Sequence, residues 1–113
     1  MEWEDIEPPA DQSFRLFSWE GDIEDVRLYQ PDGSTRKVRG FGNRWHYHRE
    51  CELTMITAGE GVRFVGADVA QLVTPDLVLL GPNLPHFWAT ENSSGFCAQF
   101  RFGSSYDVTQ LAE

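Results

Sequence analysis

Short apolar runs of four to seven residues recur along this chain, each broken by a cluster of turn-forming residues, and no stretch sustains a 3.6-residue period until the last few positions. Runs at 14–19, 24–29, 36–41, 52–58, 62–65, 69–73, 77–80, 86–90 and 96–102 are predicted as strands. The expected turns are explicit in their chemistry: Pro31-Asp32-Gly33-Ser34, Gly59-Glu60-Gly61, Gly66-Ala67-Asp68, Pro75-Asp76 and Asn92-Ser93-Ser94-Gly95. Such regular spacing predicts an all-β fold of jelly-roll type. Residues 1–12 are acidic and contain Pro8-Pro9, which reads as a mobile tail on which Trp3 could still dock. The barrel is placed at 13–103. Residues 104–113, where Asp107 or Thr109 offers a cap, are expected to begin a helical linker that stops short.

Composition narrows the classes without choosing among them. A chain of 113 residues fills one domain, and its 41% hydrophobic content, with 4 Trp and 8 Phe, supports a closed sheet around an aromatic interior. No apolar run approaches the ~20 residues that span a bilayer, and the amino terminus carries acids where a signal peptide needs bases; the expected compartment is the cytoplasm. With 18 acidic against 9 basic residues the formal charge is -9, which repels phosphate backbones and anionic lipid, so the chain alone is not expected to bind DNA or membrane. Cys51 and Cys97 suggest no disulfide framework and are read as reduced thiols.

The segment from Gly40 to Gly59 carries the chemistry. Side chains alternate across a strand, so His46, His48 and Glu52 share one face, and two imidazoles with a carboxylate suit a divalent transition metal such as Zn, Ni, Fe or Mn. His86, in Leu84-Pro85-His86-Phe87-Trp88, is the natural fourth ligand. Two histidines alone would more often be held by hydrogen bonds. Burying Glu52 beside them, however, requires a cation or a shared proton to compensate its charge. Near the ligands in sequence, Arg44, Tyr47, Thr54 and Trp88 are the candidates for contact with a bound effector. Arg44 shares the parity of His46 and could pair with a carboxylate or phosphate, and a solvent-facing charge at the rim fits it equally well.

Gly40, His46, His48, Glu52 and Gly59 reproduce the first motif of the cupin superfamily: Gly, five residues, His-x-His, three residues, Glu, six residues, Gly. The segment therefore resembles a cupin. In the second motif Gly66 and His86 match, while Gly81, Asn83 and Thr90 stand where Pro, Gly and Asn are usual. The block Leu79-Leu80-Gly81-Pro82-Asn83-Leu84-Pro85-His86 is similar to the effector-sensing cupin domain of AraC-type transcription regulators, although the familiar Gly between Pro75 and Asp76 is missing. That resemblance implies a double-stranded β-helix that binds a sugar or other metabolite, reaches DNA only through a separate helix-turn-helix part, and allows a homodimer. A stand-alone metal-dependent cupin enzyme, an isomerase or dioxygenase with Glu50, Tyr47 or Arg44 as acid-base group, is the alternative. A binding module that uses the same residues without metal is the third reading.

Overall fold

The computed structural model describes residues 2–4 and 14–101. Its nine strands are β1 (Glu2–Trp3), β2 (Phe14–Gly21), β3 (Asp25–Tyr29), β4 (Thr35–Arg39), β5 (His46–Tyr47), β6 (Cys51–Val65), β7 (Asp68–Gln71), β8 (Asp76–Leu80) and β9 (His86–Phe100), with no helix among the described residues. The fold class is all-β, as the runs and turns of the sequence predict. The part of the linker expected at 104–113, like residues 5–13 of the amino-terminal segment, lies outside the described residues.

Two strands of 15 residues each, β6 and β9, form the spine. They pair antiparallel from Cys51↔Phe100 to Val65↔His86. The first half of β6 also pairs with β8, through Glu52↔Leu80 to Ile56↔Asp76, and its second half pairs with β7. On its other edge β9 carries β2, followed by β3 and β4, and at its start it meets β5, with His46 opposite His86. Parallel pairing of Glu2 and Trp3 with His46 and Tyr47 adds β1. The result is a single sheet curled upon itself.

Two expected turns are bends inside strands. Gly59-Glu60-Gly61 does not close a hairpin, and β6 runs straight through it, with register shifts against β9 between Ile56 and Ala58 and between Ala58 and Glu60. Asn92, at φ 50°, marks the facing bend in β9, where 92–95 is likewise strand. Glycine serves close approach here. A Cβ on Gly59 (φ +126°) would lie 2.6 Å from Ser93 Cα, and one on Gly61 (φ +145°) would lie 2.0 Å from the Ala89 carbonyl oxygen.

Alternation fixes which face goes inward. In β3 Val26 and Leu28 are buried while Asp25, Arg27 and Tyr29 are exposed. Trp19, Ile23, Val26, Ile56, Leu72, Leu80, Trp88 and Cys97 make the core. The indole of Trp19 donates to Ser93 Oγ at 3.1 Å, which satisfies its polar end. Both cysteines are buried free thiols. Buried polar side chains adjoin this core, among them His46, His48, Glu52, Thr54, His86 and Gln99, and they hold the site.

Candidate metal centre

Even positions face inward through the whole motif: His46, His48, Glu50, Glu52, Thr54 and Ile56 are all buried. The ribbon is not one strand, since it breaks between Tyr47 and Cys51, yet the parity survives the break. His46 comes from β5, His48 from the connection, Glu52 from β6 and His86 from the first residue of β9. One ligand atom from each lies within 4.8 Å of all the others. The four residues singled out in the sequence are brought together.

Each imidazole is anchored in the same way. His46 Nδ1 donates to the Arg44 carbonyl at 2.8 Å, His48 Nδ1 to the Glu50 carbonyl at 3.0 Å, and His86 Nδ1 to the Leu84 carbonyl at 2.7 Å. A carbonyl oxygen only accepts, so the proton of each neutral ring sits on Nδ1 and Nε2 presents a lone pair. This is the outer-shell arrangement that orients histidine ligands toward a cation.

The inward atoms are short of protons. His48 Nε2 is 3.1 Å from Glu52 Oε1, and with Nδ1 already donating, that contact joins two acceptors unless the ring takes up a second proton or a cation lies between them. Glu52 Oε2 accepts from Thr54 Oγ1 at 2.8 Å, and Oε1 accepts from Gln99 Nε2 at 3.1 Å. His86 Nε2 stands 3.6 Å from Glu52 Oε2, beyond hydrogen-bond reach, and is buried without a hydrogen-bond partner among the described residues. An orphaned imidazole nitrogen, a carboxylate and two further imidazoles around one point match the donor set of a divalent transition metal.

The electrostatics agree. Burial alone would raise the Glu52 carboxyl, but the hydrogen bond from His48 and the neighbouring His86 outweigh it and hold the group well below the usual carboxylate range. Burial would likewise lower His48, and the hydrogen bond and charge of Glu52 reverse this and raise it. His46, with no such carboxylate bond, is pushed down to about 4 by burial and then by the charge of His86.

The centre opens on a cavity of about 30 Å3, room for roughly two waters. Of the four residues named as effector candidates, Thr54 and Trp88 line it. Arg44 and Tyr47 do not. Arg44 lies beside β1, paired with Glu2 at 3.0 Å and stacked on Phe41 at 5.1 Å, while the Tyr47 ring packs edge-on against Trp3 at 5.1 Å. Glu50 is buried but ion-paired with Arg101, outside the cavity lining.

Three lining residues carry no signal in the sequence. Gln99 meets Glu52 across the β6–β9 register, Arg15 comes from β2, and Glu4 follows β1. Glu4 is buried, 3.9 Å from His46 Nε2, and its carboxyl is raised by burial, an effect softened by His48 and Arg15. Buried polar atoms without partners among the described residues include Arg15 Nε, Trp88 Nε1 and Gln99 Oε1.

No protein-family model and no curated protein matches the chain. Among solved structures it is similar to a cupin 2 conserved barrel domain protein from Rhodopseudomonas palustris, with a TM-score of 0.50, 15% sequence identity and 88% of this chain covered. The match spans 59% of that protein's chain. The likeness establishes the cupin barrel fold. Among the described residues no helix is long and apolar enough to cross a membrane.

Proposed function

We propose that this chain is a metal-holding, small-molecule-sensing cupin domain of an AraC-type transcription regulator, working in the cytoplasm and reaching DNA through a separate helix-turn-helix part. The observation that carries the metal centre is the common anchoring of His46, His48 and His86, which leaves three Nε2 lone pairs and the Glu52 carboxylate facing one point. A bound divalent metal supplies a Lewis-acidic point with coordination positions left for a ligand. The rest is done by the chain. Thr54 and Gln99 fix the two oxygens of Glu52, and the three backbone carbonyls fix the rings, so the donors are organised before anything binds. Trp88 and Trp19 wall the cavity.

The sensor reading rests on the similarity of the block Leu79 to His86 to those regulators. One observation favours the enzyme alternative: Glu4 puts a carboxyl with a raised pKa beside the centre, where Glu50, Tyr47 and Arg44 do not line the cavity. Calorimetry on protein purified without metal tests the centre: one equivalent of Zn or Ni is expected to bind, with at least tenfold weaker binding in His86→Ala. Absence of binding in the wild type overturns it. Recovery of a bound ligand then separates the two functions, since a sensor returns it chemically unchanged and an enzyme returns a product.

A further inference from the structure

Glu4 occupies the cavity in a way that a ligand would. Its carboxylate is delivered by β1, a two-residue strand that, among the described residues, joins the sheet through β5 alone, and it is 8% exposed in a pocket otherwise built for binding. Around it stand the metal-facing nitrogen of His46 at 3.9 Å, the Arg15 guanidinium, and the wall of Trp88. Arg15 Nε and Trp88 Nε1 are donors, and neither has a partner among the described residues. Buried donors left open in this way are costly unless something accepts from them.

We infer that the site takes a small carboxylate, which displaces Glu4 from its place beside the His46 edge of the centre and accepts hydrogen bonds from Arg15 and Trp88. This rests on the binding-site reading above and narrows its ligand class. Size agrees: the cavity of about 30 Å3, enlarged by the volume that the Glu4 carboxylate vacates, admits a ligand with a few heavy atoms and excludes an undistorted sugar ring. Charge agrees as well. A carboxylate sets its negative charge against the half-buried Arg15 guanidinium, and a neutral ligand does not.

The test follows the Trp88 indole 15N–1H resonance, identified by its loss in Trp88→Phe, during titration with acetate and with its neutral isostere acetamide. Metal-free and Zn-loaded protein are both titrated, with metal uptake measured separately by calorimetry. Acetate is expected to shift the resonance saturably, and acetamide is not. Glu4→Gln removes the internal competitor and should tighten acetate binding at least threefold, with Glu4→Asp falling between it and wild type. Arg15→Met should weaken binding at least tenfold while Arg15→Lys retains part of it. Equal responses to acetate and acetamide, or unchanged affinity in Glu4→Gln, overturn the inference. A protein that takes up Zn yet ignores acetate keeps its metal centre and loses only the ligand class; one that binds acetate without taking up metal does the reverse.

Discussion

Acid should destabilise the metal-free protein largely through His46. The ring is buried, its Nδ1 is committed to the Arg44 carbonyl, and its pKa falls from 6.5 to about 4. The unfolded chain therefore takes up this proton first, and stability is lost as pH drops below 6.5, levelling off only below about 4. Integrating the linkage relation between these two values gives about 2 kcal/mol lost at pH 5 and about 3 kcal/mol at pH 4. Against a total of 5–15 kcal/mol for an ordinary domain, that is a large share. Replacing the ring with His46→Gln removes the titration and keeps an amide donor for the carbonyl. The assay is urea unfolding of wild type and variant, metal-free, at pH 7.5, 5 and 4. Taking the difference between the two proteins at each pH cancels the contributions of the remaining carboxylates and histidines. Between pH 7.5 and 4 the wild-type midpoint should fall by roughly 2 M more than the variant's, for a slope of about 1.5 kcal/mol/M. Parallel pH profiles, differing by under about 1 kcal/mol across the range, would refute the claim that this imidazole is held neutral by burial.

The other outcomes are simpler to state. Because Glu52 raises the pKa of His48 and Zn needs its Nε2 free of a proton, Zn uptake should release more protons at pH 6 than at pH 8, read by calorimetry in buffers of different ionisation enthalpy; release that does not change with pH would contradict the contact between His48 and Glu52. Zn at about 100 times its dissociation constant should add about 2.7 kcal/mol and raise the melting temperature by roughly 10 °C, and a chelator should reverse this. Gly61→Ala, with a Cβ 2.0 Å from the Ala89 carbonyl oxygen at φ +145°, should cost about 3 kcal/mol or more in chemical unfolding, while Gly81→Ala, with nothing within 4 Å, should stay within about 0.5 kcal/mol. Cys97 and Cys51, both buried with thiols raised chiefly by burial, should resist iodoacetamide at pH 8 until urea is added.

The candidate ligands were legible because parity is a local property. His46, His48 and Glu52 share a face by counting alone, and the count holds even across the break between β5 and β6. The β-sheet class was legible for the same reason. Gln99 and Arg15 were not, because what makes them matter is register between strands far apart in the chain: Glu52 meets Gln99, and β2 lies beside β9. Glu4 was hidden differently. Proline and acidic residues around it signal a solvated segment, and only the pairing of Glu2 and Trp3 with β5 carries it inward. Arg44 has the parity of His46 yet precedes the strand, where a neighbouring acid from β1 claims it. Gly59 and Gly61 mislead because a glycine pair is equally the signature of a reversal and of two backbones passing very close.

Those paired bends at Gly59 and Asn92 have a mechanical result. Since the same two ribbons continue through both walls of the barrel, neither wall can peel away while the other stays closed, and amide hydrogen exchange should report one opening event for Glu52 to Ile56 and Val62 to Val65 alike. Loops must close over dozens of residues before those ribbons meet, so refolding is expected on the millisecond-to-second scale of other non-local sheets rather than in microseconds.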